Sequence, residues 1–308
     1  MDRILVTGAT GFVGRWVLRH WRTAHPEVKV WASSNQPGCP AELADEFRVL
    51  DLRDDAAVRE LACACRPTCV IHLAGLVGQA SLAEHLAVNV LGTENLYTAL
   101  AECDGFREMR IVQAGTAAVY GQVRPEELPI SEGNPLRPLS PYGVSKMTQD
   151  YLADMFWRTR GLNIIRARIF NLLGPGQPEY LVPATFIRQL KRLSDGESLE
   201  TGNLAPRRDF VDVRDVVLAF DRLLSQGHPG AAYNVASGTS IAVGDVLQRL
   251  LGVAGRRVIV KEKAARVRRN DVSDIYASTA AIAGDAGWQP QIPLTESLKA
   301  MWDDGHNA

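Results

Sequence analysis

A tyrosine and a lysine stand four residues apart in Ser-Pro-Tyr-Gly-Val-Ser-Lys, residues 140–146. A phenol titrates near ~10, too high for easy proton exchange at neutral pH, and an ammonium close by lowers it. The stretch also reads as a helix start. Ser140 can cap free backbone N–H groups, and Pro141 suits the first helical position. Tyr142 and Lys146 would then share one face. The spacing alone fits an ordinary amphipathic helix as well, with a buried Tyr and a Lys that snorkels to water. A third group makes the pair chemical: Thr116 closes "MRIVQAGT" (109–116) and brings a hydroxyl to the end of that stretch. Hydroxyl, phenol and ammonium together can hold an oxygen and pass it a proton.

The elements around these residues support that chemistry. "TGATGFVG" places Gly8, Gly11 and Gly14 straight after an apolar strand, with Phe12 and Val13 opening a helix. Glycines allow a tight turn and close approach of a pyrophosphate, while the helix start offers N–H groups and its positive dipole end. A merely tight strand–helix turn is the plainer alternative, but the first βα unit is the context a dinucleotide motif needs. The second strand ends in Ser33, Ser34 and Asn35, without the acid that grips the ribose 2′-hydroxyl of NAD. A 2′-phosphate meets no repulsion there and serine hydroxyls can donate to it, so NADP is favoured and NAD stays open. Asp51, followed by Leu52, is a candidate for the adenine ring, and Leu73, Ala74 and Gly75 for its ribose and the pyrophosphate. His72 reads as a packed strand-end residue.

Strands at 3–9, 28–33, 47–52, 69–75, 109–116 and 162–170 alternate with helical stretches at 12–23, 55–65 and 85–103 and with the helix begun at Ser140. That rhythm implies right-handed crossovers and an α/β, Rossmann-type, doubly wound parallel sheet. Past "LLGPGQP" (172–178) irregular stretches lengthen, which predicts a smaller α/β substrate-binding lobe. The expected division is 1–171 for the dinucleotide and 172–308 for the substrate, the chain returning to the large lobe near 209–224.

The chain has 308 residues, 46% hydrophobic and 22% charged, with a net charge of −1. That is an ordinary globular make-up, and it points to neither a nucleic-acid nor a membrane partner. Apolar residues begin at Ile4 with no secretory pattern before them, and no apolar run approaches the ~20 residues of a membrane span. The expected location is the cytoplasm. Three of the five cysteines crowd "CACRPTC" without a Cys-x-x-Cys pair or accompanying histidines, so small buried hydrophobes are expected and no metal.

The glycine turn, "HLAG" (72–75), "VNVLGTENL" (88–96), "AGTAAVYG" (114–121) and "SPYGVSK", in this order, resemble the extended short-chain dehydrogenases/reductases over nearly the whole chain. "RIFNLLGPGQ" (168–177), "GNLAPRRDFVDVRDVV" (202–217), "YNVASG" (233–238) and "GWQPQIPLTESL" (287–298) are similar to the nucleotide-sugar branch, most of all to the GDP-4-keto-6-deoxy-mannose reductases. The resemblance implies Tyr142 as proton donor or acceptor, Lys146 lowering its pKa and binding the nicotinamide ribose, and Thr116 bonding the reacting oxygen. It gives Asn89 a structural part. It also implies Arg208 and Arg268 on the substrate diphosphate, where planar guanidinium forks suit phosphate oxygens, and Asn171 on the sugar or its phosphate. Surface ion pairs with Asp209 or Asp271 are the plainer reading of the arginines.

Two departures qualify the likeness. Leu172 stands where the reductases usually carry histidine, and Arg269 replaces the usual proline. The loop 177–182, with Tyr180, is therefore expected to face the sugar. Ala117 and Ala118 follow Thr116 where a 4,6-dehydratase needs an acid and a base. The expected function is NAD(P)H-dependent reduction of the C4 keto group of a nucleotide-linked 4-keto-6-deoxy-hexose. A nucleotide-sugar 4-epimerase with tightly held NAD is the alternative, and a non-catalytic dinucleotide sensor a further one. Family likeness implies a homodimer through a four-helix bundle built from the helices spanning 85–103 and 142–160.

Overall fold

Residues 2–263 and 272–304 are described by a computed structural model. Strand β1 (Arg3–Thr7) is buried from Ile4 to Thr7, as a parallel strand covered on both faces must be. Then come α1 (Phe12–Ala24), β2 (Lys29–Ser34), β3 (Glu46–Val49), α2 (Asp55–Cys65) and β4 (Cys69–His72). They are followed by α3 (Leu82–Leu86), α4 (Gly92–Ala101), β5 (Arg110–Thr116), α5 (Pro141–Arg160) and β6 (Asn163–Ile169). Next are β7 (Asn171–Leu173), α6 (Val182–Arg192), β8 (Ser198–Thr201), β9 (Arg207–Arg208), β10 (Phe210–Asp212) and α7 (Val213–Gln226). Further along lie β11 (Ala232–Val235), β12 (Ile241–Ala242), α8 (Val243–Ala254), β13 (Ile259–Glu262), β14 (Asp274–Ile275), α9 (Ala280–Ala286) and α10 (Leu294–Asp303).

Among the described residues the large sheet has seven strands in the order β11-β6-β5-β4-β1-β2-β3. Every pairing is parallel. This is the expected Rossmann-type doubly wound sheet. One face buries Val17, Leu18 and Trp21 of α1 with Val216, Phe220 and Leu223 of α7 and Ile282 of α9. The other buries Val58 and Leu61 of α2, Leu96 and Leu100 of α4, and Phe156 of α5. Burying a large apolar side chain is worth about 1.5–3 kcal/mol, so α7 and α9 belong energetically to the large sheet although their sequence lies beyond residue 172. His20 of α1 and His25 just past its end both reach Asp221 Oδ2 of α7 at 3.0 Å, tying the two helices. Helix α7 thus packs on the large sheet, and the chain then adds β11 beside β6.

The smaller lobe has its own core, in which Phe186 and Leu190 of α6, Leu247 and Leu250 of α8, and Leu298 and Met301 of α10 meet. The parallel pair β8–β13 carries Leu199 into it.

Local hydrogen bonding decides where expected elements stop. The helix foreseen at 85–103 is α3, a π-helical turn at Ala87–Leu91, and α4. The buried Asn89 sits in that turn and bonds Leu76 and Ser145, which accounts for the extra residue accommodated there. β4 ends at His72 instead of residue 75, since Ala74 N donates to Thr7 Oγ1 and Leu76 N to Asn89 Oδ1. β3 ends at Val49, short of Asp51, whose carboxylate takes Arg53. All parallel strands end at one edge, and there the sheet gathers Gly8, the 73–76 loop and Thr116.

Candidate active site

Gly8 has φ +69°, and a Cβ on it would lie 2.7 Å from Ala74 N; one on Gly14 would lie 2.4 Å from Gly8 O. No other residue type fits these backbones as they stand. Helix α1 starts at Gly11 with no side-chain cap and no acidic residue in its first turn, so the N–H groups of Phe12, Val13 and Gly14 meet no competing carboxylate. Ser34 Oγ and Thr10 Oγ1 lie 2.6 Å apart beside this turn, and buried Ser33 takes Ala9 N on its carbonyl. Leu73 N and Ala74 N donate to Thr7 at 3.2 Å each, holding the 73–75 loop against the turn. Gly75 meets Asn89 Oδ1, which a Cβ would approach to 3.1 Å. Leu52 is buried, and Asp51 is gripped by Arg53, whose guanidinium holds its carboxyl below the usual range. A glycine cradle, an uncapped helix start and neighbouring hydroxyls fit a dinucleotide phosphate.

At the far end of the edge, Ser140 caps α5 by accepting from Gly143 N at 3.0 Å, with Pro141 in the first helical position. Tyr142 is half-buried and hydrogen-bonded to Thr116, whose Oγ1 also accepts from Ala118 N at 3.2 Å. Burial pushes the phenol up to about 12, the Thr116 bond works against this, and Tyr180 is near enough to add to it. The acidification expected from Lys146 is not what this geometry gives. The lysine is buried one turn on, where its Nζ donates to Ala114 O at 2.7 Å and to Gln149 Oε1, and desolvation outweighs any help to the phenol. Burial also lowers Lys146 itself to about 8, with Asp150 opposing.

His72 is packed as expected: buried, bonded to Thr7 and Thr93, and lowered to about 3 by desolvation. His85, which no motif singles out, lines a hollow with Tyr142 and Ser140, and its ring centre lies 5.8 Å from that of Tyr142.

A second cavity of about 290 Å³ opens in the smaller lobe and brings together Asn171, Leu172 and Arg208 with Gln177 and Thr201. Gln177 Oε1 and Thr201 Oγ1 are buried there without a hydrogen-bond partner among the described residues. Buried polar atoms of that kind ask for a polar ligand. Arg208 Nη1 donates to the carbonyls of Arg207 and Val272 at 2.7 Å each. Asp209 turns inward instead of pairing with Arg208: it is fully buried and accepts from Ser237 N and Oγ, Gly238 N and Ala277 N. Asn171 donates to Asp209 O at 3.0 Å. Tyr180 is 65% exposed and does not line the cavity, although Leu181 and Val182 after it do. Arg268, Arg269 and Asp271 lie outside the described residues.

A glycine cradle and a Thr-Tyr-Lys set on one sheet edge, with a cavity lined by Arg208 in the smaller lobe, fit an extended short-chain dehydrogenase/reductase of the nucleotide-sugar branch. The chain belongs to the family described as GDP-mannose 4,6 dehydratase, whose profile matches residues 5–301. It is 35% identical to GDP-6-deoxy-D-mannose reductase of Pseudomonas aeruginosa, over 98% of this chain and 97% of the relative. It is 27% identical to GDP-6-deoxy-D-talose 4-dehydrogenase of Aggregatibacter actinomycetemcomitans, over 88% of this chain and 86% of the relative. Among solved structures, RMD from Pseudomonas aeruginosa complexed with NADPH superposes with a TM-score of 0.87 at 32% identity, covering 99% of this chain and 98% of that one. The Thermus thermophilus UDP-glucose 4-epimerase complex with NAD gives 0.83 at 28% identity, covering 98% of both.

Proposed function

We propose that this chain is an NADPH-preferring reductase of a GDP-linked 4-keto-6-deoxy-hexose. The observation that carries the reading is the Thr116–Tyr142 pair: a phenol raised to about 12 stays protonated at neutral pH and can give its proton to a carbonyl oxygen held by the threonine hydroxyl. A bound dihydronicotinamide supplies the hydride for the sugar C4. The glycine turn, Ser33, Ser34 and Lys146 hold that cofactor, Arg208 and Arg268 the diphosphate, and Asn171 the sugar. Leu172 leaves an apolar contact where the related reductases have an imidazole. Elimination of water is disfavoured in spite of the family's name, because Ala117 and Ala118 can act as neither acid nor base.

Residues 1–171 serve the dinucleotide and 172–308 the nucleotide sugar, although 213–235 and 280–288 pack on the large sheet. The protein acts in the cytoplasm as a homodimer. Exposed Leu91 in the π-helical turn and exposed Tyr151 and Met155 of α5 support a helical dimer surface, and no described helix is long and apolar enough to cross a membrane. The test is incubation with GDP-4-keto-6-deoxy-mannose and NADPH, where cofactor and keto-sugar should disappear in equal amounts. Interconversion of UDP-sugars without added cofactor would establish the epimerase instead, and cofactor binding with no turnover on any keto-sugar the sensor.

A further inference from the structure

A chain of buried side chains runs from Lys146 back to the glycine turn. The ammonium donates to Gln149 Oε1. Because an ammonium only donates, Gln149 must turn its oxygen toward Lys146 and its NH2 group away. That NH2 group donates to Thr93 Oγ1 at 2.7 Å. Thr93 gives its single hydroxyl proton to Asn89 O at 2.8 Å, and its oxygen lies 2.9 Å from His72 Nε2. Nε2 must therefore carry the ring hydrogen, and Nδ1 accepts from the Thr7 hydroxyl 2.7 Å away. Thr7 Oγ1 in turn accepts Ala74 N. His72 is 1% exposed, and Thr7, Thr93 and Gln149 are fully buried. With Thr93 donating to Asn89 O, this set of proton positions satisfies the links of 2.7–2.9 Å and leaves only the longer approach of Gln149 Nε2 to His72 Nε2, 3.4 Å, without a shared proton.

We propose that Gln149 is a positioning residue for Lys146, the Thr7–His72–Thr93–Gln149 chain fixing where the ammonium stands relative to the dinucleotide cradle. With Ala114 O and Gln149 Oε1 taking two of its N–H groups, one remains for a ribose hydroxyl of the cofactor. A carboxamide does this without adding charge. Of the titratable and charged groups here, Asp150 on α5 and neutral His72 on β4 act on the lysine directly, while Tyr97 on α4 and Arg166 and Arg168 on β6 act on Asp150. Both arginines engage Asp150, so its carboxylate is shared before it reaches Lys146. The inference rests on the proposed function only in taking NADPH as the ligand.

The experiment titrates full-length variants with NADPH by fluorescence and records the pH profile of kcat/KM. Gln149→Leu should weaken NADPH binding about 10–100-fold, the range for losing a hydrogen bond to a charged group. Gln149→Glu should restore most of the affinity while moving the alkaline limb of the profile upward, since a carboxylate holds the ammonium charged to higher pH. Thr93→Val should act in the same direction as Gln149→Leu, Thr93→Ser should behave as wild type, and the Leu/Val double variant should be no worse than Gln149→Leu, as members of one network are not additive. Wild-type affinity in Gln149→Leu, or an unmoved pH limb in Gln149→Glu, overturns the proposal. Should Gln149→Leu not fold, equal affinity of Thr93→Val and Thr93→Ser overturns it. A wild-type protein that binds NADPH but reduces no keto-sugar refutes the reaction and leaves the NADPH titrations of the variants as the test.

Discussion

Replacing Tyr142 by Phe removes one oxygen from a half-buried ring and leaves α5 and its Ser140 cap alone. Stability and turnover should then respond very differently. The fold loses the hydrogen bond to Thr116, worth about 0.5–1.5 kcal/mol, and is relieved of desolvating a hydroxyl, the same burial that raises the phenol to about 12. These effects oppose each other, so the unfolding free energy in urea should change by no more than about 1 kcal/mol. Turnover loses its proton donor, and a positioned general acid contributes about 100- to 10,000-fold, or about 2.7–5.4 kcal/mol of barrier. NADPH consumption with GDP-4-keto-6-deoxy-mannose should show kcat reduced by at least about 100-fold, and fluorescence titration an NADPH Kd within about threefold of wild type. Because the phenol is pushed up, it should cause no loss of reductive rate across the neutral range. A Phe variant whose kcat stays within about tenfold of wild type would refute the assignment of the proton to Tyr142.

Lys146, lowered by burial to about 8, predicts a pH window. Its unfolded value is higher, so the unfolded chain holds the extra proton between about 8 and ~10.4, and stability measured against Lys146→Met should rise with pH there while NADPH affinity falls. Gly8→Ala must place a Cβ 2.7 Å from Ala74 N at φ +69°; a left-handed alanine alone costs about 1–2 kcal/mol, so thermal unfolding should drop and NADPH binding weaken together, and an unchanged affinity would count against the cradle. Arg208→Met should raise KM for the nucleotide sugar about 10–100-fold with kcat nearly unchanged, the pattern of lost uniform binding; a fall in kcat alone would place Arg208 elsewhere in the reaction.

Much of this was legible in the residues because the signals are local. Three glycines after an apolar run, Ser-Pro before a helix and continuous burial in short strands each follow from a few neighbouring positions. Helix α2 begins at Asp55 and ends at Cys65 as periodicity indicates, with Asp54 capping it. What escaped depends on distant partners. The π-helical turn arises where Asn89 reaches Ser145, 56 residues away. The raised pKa of Tyr142 comes from burial that no spacing displays, and β11 joins the large sheet only because β6 offers its open side. Gln149 was the detectable omission: it lies one turn beyond Lys146 on the same helix, a polar amide on the face that the Tyr–Lys spacing had already turned inward.

The return of the chain through α7 and β11 sets a rule for swapping parts between relatives. A foreign carboxyl-terminal half joined after residue 171 would carry away the outermost strand of the large sheet together with α7 and α9, which cover one of its faces. Exchange of sugar preference by recombination therefore has to leave those three elements with the host, and the transplantable portion is a discontinuous set centred on α6, α8 and α10.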